Sequence, residues 1–408
     1  MQSRRCFFLS AGAFAAPGFA ATRKTVLYAA TGPELSTYAV DIEGAKLTRQ
    51  ASVTLPANVQ EAWPHPSRKF LYVAWSSNGG GPGGRHGVTA FARDAASGAL
   101  SPHGSPISLV SRAVFLTVDV PGTHIVVAHN NPSMATVYRI EPDGTLGARV
   151  AQPAGLDFGV YAHQVRVAPS NRMVVLVTRG NGPTATKKED PGALKVFGYK
   201  DGILSNRASI APGGGYGFQP RHLEFHPARP FAYITLERQN KVQMYKVVDG
   251  STLSAAPLFT KETLEDPGRM ATQAASAIHA HPNGRFLYVG NRGSATEMFE
   301  GKRVMAATEN SIAVYSIRPE TGEPTLIQNA DTHGVHPRTF TLDPSGRLLV
   351  VANLEQALVR EKNAVRTLPA NLAVFRIGED GKLTFVRKYD QDTSRGRSLF
   401  WTGMVELP

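Results

Sequence analysis

The sequence predicts an all-β protein: a seven-bladed β-propeller of four-stranded blades, its ring closed by the C-terminal strand joining the N-terminal blade. Three observations carry that prediction. First, a proline-centred turn recurs at Pro66, Pro121, Pro169, Pro227, Pro282 and Pro344, with spacings of 55, 48, 58, 55 and 62 residues. Second, each turn joins two apolar β-runs, as in the stretch Phe218 to Glu237, where Leu223 and Phe225 lead into His226-Pro227 and Phe231 to Leu236 returns. Third, a further strand and a glycine turn follow each hairpin, with no helical pattern between. Four strands per repeat of about 55 residues mark a propeller blade rather than a sandwich.

The elements follow in order. The returning strands read HPSRKFLYVAW, VPGTHIVVAHN, APSNRMVVLVTR, HPARPFAYITLE, HPNGRFLYVGNR and DPSGRLLVVANL. Such near-continuous apolar runs suit strands buried on both faces. The third strands are expected at 88–91, 136–140, 194–199, 241–247, 311–317 and 371–377. Gly98, Gly144, Gly202 and Gly381 mark the turns into the outer strands. The stretch Thr25 to Thr48 supplies three strands of a further blade. Its missing inner strand is expected at Ser398 to Leu407, which removes the open sheet edge of an unclosed ring. One domain is expected, over 24–408.

Residues 1–21 read as a targeting segment. Ser3-Arg4-Arg5-Cys6-Phe7-Phe8-Leu9 resembles a twin-arginine signal, an Ala-rich apolar run follows, and small residues near Ala21 offer a cleavage site. The run is too short to span a bilayer. The expectation is export to a periplasm. Cys6, the one cysteine, lies in this segment, so the mature chain is expected to hold no disulfide, thiol nucleophile or thiolate metal site.

Net charge is +12, and +10 without Arg4 and Arg5. A basic surface attracts anions. No block of Lys and Arg interleaved with aromatics occurs, which argues against a nucleic-acid partner. The expected partner is a small anionic or lactone substrate, with no cofactor.

Counting from each turn proline places candidate site residues. Six residues before it the innermost strand begins, at Gln60, Phe115, His163, Arg221, Ser276 and Arg338. Ten residues after it the second strand ends, at Ser76, Asn131, Arg179, Glu237, Arg292 and Leu354. The two strands are antiparallel, so both sets fall on one face of the ring. Ionisable residues occupy these positions only in the last four repeats. They are expected to ring one side of the channel mouth.

The motifs Ala162-His163-Gln164, Gln219-Pro220-Arg221-His222, Ile278-His279, Asn291-Arg292 and His336-Pro337-Arg338 occur in this order along the chain. In order and spacing they resemble the seven-bladed lactonase family, which includes bacterial 6-phosphogluconolactonase and fungal carboxy-cis,cis-muconate cyclase. The resemblance implies a functional set of one histidine, two arginines and one glutamate on His163, Arg221, Arg292 and Glu237, with Arg338 as an added anion contact. It also implies lactone opening, or a muconate-type lactonisation or isomerisation. Gln164, Arg179, His222, His279 and Asn291 are candidate substrate contacts. The chemistry agrees: a histidine can activate water, and arginines can grip a carboxylate and stabilise charge growing on a carbonyl oxygen. Glu237 is expected to orient His163 or share its proton.

Blander readings stand beside these. Arg–Glu pairs at strand ends are often structural, and propellers also serve as non-catalytic binding modules. The pair His279 and His281 invites a zinc reading. However, His65 and His226 hold the same pre-turn position as His281, so His281 reads as a turn residue. The glycine run 79–84 and the insertions 180–192, 293–310 and 355–370 all follow second strands. All four read as loops over the candidate site.

Overall fold

The computed structural model describes residues 24–77, 83–268 and 272–408; the twin-arginine segment and most of the glycine run lie outside them. Among the described residues, apart from one 3-10 turn at Pro212–Gly215, the regular structure is β. Among the described residues no helix is long and apolar enough to cross a membrane.

Seven antiparallel sheets form the blades. Their innermost strands are Leu399–Glu406 (blade 1), Asn58–Pro64 (blade 2), Ala113–Val118 (blade 3), Ala162–Val167 (blade 4), Pro220–Phe225 (blade 5), Gln273–Ala280 (blade 6) and Pro337–Leu342 (blade 7). Each packs against the next, and the seventh against the first, so the ring is closed. Blade 1 is split between the termini. Thr25–Thr31 pairs with Leu399–Glu406 along its length, and Glu34–Asp41 and Lys46–Thr54 complete the sheet. The propeller and its closure are as the repeat pattern predicts.

The second strands explain why the sequence selects this architecture. In Phe70–Ser76, Leu71 and Val73 pack toward blade 1 while Tyr72 and Ala74 pack toward blade 3. Both faces of each sheet are therefore covered, as the unbroken apolar runs require. The buried core divides into seven clusters, one per interface between neighbouring blades.

Polar staples reinforce these interfaces. Tyr28, Tyr72, Tyr233 and Tyr288 each donate a hydroxyl to a glycine carbonyl of the following blade (Gly98, Gly144, Gly322 and Gly381), at 2.6 to 2.9 Å. The turn histidines do likewise. Nε2 of His65, His226 and His281 lies 2.9, 2.9 and 2.8 Å from the carbonyls of Gly122, Gly284 and Gly346. His281 is thus a structural turn residue, as its repeat position implied.

Two features depart from expectation. In blade 3 the hairpin closes between Asp119 and His124, which puts Val120, not Pro121, at the repeat's proline position. Each count in that blade shifts by one. The insertions that follow the second strands of blades 6 and 7 are also not plain loops. They fold as hairpins, Thr296–Phe299 with Lys302–Met305 and Ala357–Glu361 with Ala364–Leu368. A parallel bridge, Met305 to Val359, joins them into one small sheet. Alternating patterns too short to rank as strands in sequence gain stability by pairing across blades.

Candidate functional site

The site residues owe their positions to β-bulges. In an antiparallel pair, a bulge leaves one residue of a strand unpaired and re-aims its side chain. Near the start of each innermost strand the register slips by one residue. The residue left over is His163 between Ala162 and Gln164, Arg221 between Pro220 and His222, and Arg338 between Pro337 and Thr339. Gln60, Val114 and Phe400 are the counterparts in blades 2, 3 and 1. The bulge turns these side chains to the ring's mouth, where the second strands deliver Arg179, Glu237 and Arg292.

Local strain accompanies the bulges in three of the four site blades. Tyr161, Gln219 and His336, each two residues before a bulge, have φ of +57°, +42° and +56°. Non-glycine residues rarely adopt this region, and such strain concentrates at functional sites. Their carbonyls accept the backbone N–H of Arg179, Glu237 and Leu354, so the strained residues also fix where the second strands end.

At the centre is Glu237, 6% exposed. Its Oε1 accepts from Arg221 Nη1 at 2.8 Å and from Arg292 Nη2, and its Oε2 accepts from Arg179 Nη1 at 3.1 Å. Burial alone would lift this carboxyl; Arg221, Arg292 and Arg179 override it and hold it at about 2. Arg338 stacks over Phe400 at 3.9 Å and is lowered to about 9, by burial and then by Arg292 and Arg112. Three guanidiniums thus bind one carboxylate, and with Arg338 beside them the uncompensated charge is about +3. Buried charge of one sign is costly, and an anion entering the mouth would relieve it.

His163 sits against this cluster. Arg221 Nη1 lies 3.0 Å from His163 Nε2. A guanidinium can only donate, so Nε2 accepts and the proton of the neutral ring is on Nδ1. Burial, then Arg221, His222 and Arg338, hold the imidazole well below its usual range. His163 Nδ1, Arg221 Nε and Nη2, and Arg292 Nε are buried and have no hydrogen-bond partner among the described residues. Glu237 does not touch His163, contrary to expectation; Arg221 bridges them.

The other candidates lie elsewhere. His222, Gln164 and His279 follow the bulges at alternate positions and line the channel below the mouth. The His222 ring is 5.0 Å from that of His163. Asn291 is fully buried, with Nδ2 donating to Thr263 O at 2.6 Å and to Ser311 Oγ at 3.1 Å, so it braces blade 6. The proline count passed over Tyr161, whose ring lies 4.2 Å from the Arg179 guanidinium. It also passed over His336, 3.3 Å from Arg292 Nη1. The signal for both was the position two residues before the bulge. Beside Glu237 a cavity of about 610 Å³ opens between blades 5 and 6, bordered by Arg179, Arg238, Gln273 and Ser294. Among the described residues no three His, Cys, Asp or Glu side chains are grouped as metal ligands.

Residues 20–361 match the family model "Lactonase, 7-bladed beta-propeller". The 6-phosphogluconolactonase of Bacillus subtilis strain 168 is 29% identical over 315 residues, 74% of this chain and 77% of that protein. The 6-phosphogluconolactonase of Erwinia tasmaniensis is 26% identical over 371 residues, 90% of this chain and all of that one. Among solved structures, the periplasmic gluconolactonase of Pseudomonas aeruginosa superposes with a TM-score of 0.68 at 20% identity, covering 94% of this chain and 100% of that one. The chain therefore belongs to the seven-bladed β-propeller lactonase family.

Proposed function

We propose that this protein hydrolyses a lactone of a sugar or organic acid that carries an anionic group, at the mouth built by blades 4 to 7. The observation that carries the reading is the cluster of Arg179, Arg221, Arg292 and Arg338 around Glu237, beside a neutral His163. Family membership and relatives named 6-phosphogluconolactonase support lactone opening.

The anionic group binds toward Arg179 and Arg292. The lactone carbonyl oxygen accepts from the unpartnered N–H groups of Arg221. Water attacks the carbonyl carbon, and its proton passes to His163 Nε2, which Arg221 releases as it turns to the substrate. The tetrahedral oxyanion forms within the guanidinium field, a preorganised stabilisation worth roughly 10²–10³ in rate per donor. The ring C–O bond then breaks, and His163 returns the proton to the leaving oxygen. The product is a hydroxy acid, which loses a proton to solvent.

Alone, His163 is a weak base because burial, and then its arginine neighbours, oppose protonation. A bound anion offsets their field and raises its proton affinity, so substrate binding itself prepares the base. A neutral imidazole is a poor acid, which favours water activation over protonation of a C=C bond in a muconate-type reaction. We further propose that residues 1–21 direct export. Export favours unphosphorylated acids as substrates, since sugar phosphates are mostly cytoplasmic.

The test is proton release in weak buffer by the protein lacking residues 1–21, against aldonolactones, 6-phosphogluconolactone and muconolactones, with His163→Ala alongside. Excess acid over the variant and the spontaneous rate is expected with an anionic lactone. A folded protein with no excess on any of them overturns the proposal.

A further inference from the structure

Beyond each bulge the innermost strands continue down the ring, and alternate residues face its axis. Below the mouth they enclose a chamber of about 290 Å³. At ~30 Å³ per water this holds about ten waters, or one six-membered ring with its hydroxyl groups. The site residues His163, Arg221 and Arg338 do not line it; His222 and Gln164 form its ceiling. Pro64, Met404 and Val405 are shared with a shallower cavity that reaches the turn residues Pro66 and Pro344. The chamber therefore borders the face opposite the mouth.

Its chemistry differs from the mouth's. Trp63, Phe115 and Trp401 supply aromatic wall. Arg166 and Glu224 neutralise each other in a bidentate pair at 2.9 and 3.2 Å, with His279 Nδ1 at 3.4 Å from Glu224 Oε2. Glu61 Oε1 accepts from Trp401 Nε1 and from the Ala62 N–H at 3.2 Å. Burial raises that carboxyl to about 8, so it is protonated at neutral pH. The fixed charges of the chamber cancel, whereas those of the mouth do not.

Hydrogen-bonding groups remain free for a ligand. Gln164 Oε1 is held by the Leu223 N–H at 2.5 Å, which leaves its amide donors available. Thr339 Oγ1 is buried without a partner among the described residues. Aromatic faces combined with scattered donors and acceptors and no net charge match a ring that has an apolar C–H face and several hydroxyls.

We propose that this chamber is a second binding site, separate from the mouth, for an uncharged hydroxylated ring of the unphosphorylated pyranose class, entered from the opposite face. The proposal does not depend on the lactonase reading, because the residues are not shared.

Tryptophan fluorescence tests it. Two of the three tryptophans, Trp63 and Trp401, line the chamber, and Trp75 is bonded to Thr89 within blade 2. Titration with D-glucose and with methyl β-D-glucoside is expected to give a saturable change. Thr339→Val or Glu224→Gln should weaken it at least about tenfold, while Arg292→Met should leave it unaltered. Thr339→Val is isosteric, which keeps the test open if Glu224→Gln does not fold. Two results overturn the proposal: no saturable signal and no calorimetric heat up to about 50 mM of either sugar, or binding abolished by Arg292→Met and retained by Thr339→Val.

Discussion

Glu237→Gln is the most informative single change. The side chain keeps its shape and loses its charge. Glu237 is the acceptor for three guanidiniums, one of which, Arg221, is 2% exposed. Glutamine offers them one carbonyl oxygen and turns an NH₂ donor toward cations that also donate. Removing one member of a buried charge pair costs about 3–5 kcal/mol. At roughly 2.1 cal/mol/K per residue, the unfolding entropy of the folded chain is about 0.8 kcal/mol/K. The expected fall in Tm is therefore about 4–6 °C, read by differential scanning calorimetry. Sulfate should reverse part of the loss. An anion at ~100 times its Kd returns about 2.7 kcal/mol, and the variant, with one more uncompensated charge, should respond more strongly than the wild type. An unchanged Tm, together with equal sulfate responses, would refute the charge accounting at the mouth.

Four further predictions rest on other contacts of the structure. Arg292→Met should lower kcat/KM for an anionic lactone by about 10²–10³, and for a neutral lactone by less, in steady-state assays of both. Stability should fall as pH drops below about 6.5. Burial lowers His129 to about 4 and His336 to about 3, and holds His163 and His222 well below their usual value. In that window the unfolded chain binds protons that the folded chain does not, costing up to about 1.4 kcal/mol per pH unit for each histidine. Glu61 has the opposite sign: its folded value of about 8 gives stability that is full below about 4.5 and lost as pH rises through 8. Glu61→Gln should therefore gain on the wild type in melts run from pH 5 to 8. Tyr233→Phe removes the bond to the Gly322 carbonyl and leaves that carbonyl buried and unpaired. It should cost about 1–3 kcal/mol in chemical denaturation.

Much of this was legible in the chain, and the limits have physical causes. The propeller was readable because burial on both faces of every second strand writes unbroken apolar runs such as FLYVAW and FAYITL, and a proline marks the turn between paired strands in most blades. Blade 1 was readable because three strands without a partner need a fourth. Counting from the turns reached Arg221, Glu237, Arg292 and Arg338, since antiparallel pairing ties both strand ends to one turn. The count ignored the bulges, however. One extra residue per inner strand aims His163 and Arg221 at the mouth while leaving Gln164 and His222 facing the channel. Contacts between blades were beyond a count within blades. The Arg221 bridge between Glu237 and His163, the staples of His65, His226 and His281, and the sheet joining Met305 to Val359 all depend on neighbours distant in sequence.

The most direct test of the central claim, that the charged mouth selects and opens an anionic lactone, is kcat/KM on a matched pair of lactones differing only in one carboxylate, at low and at physiological salt. The account predicts at least a tenfold preference for the anionic member, narrowing as salt screens the guanidiniums. Equal turnover of the pair, or a preference for the neutral lactone that salt does not change, would contradict it.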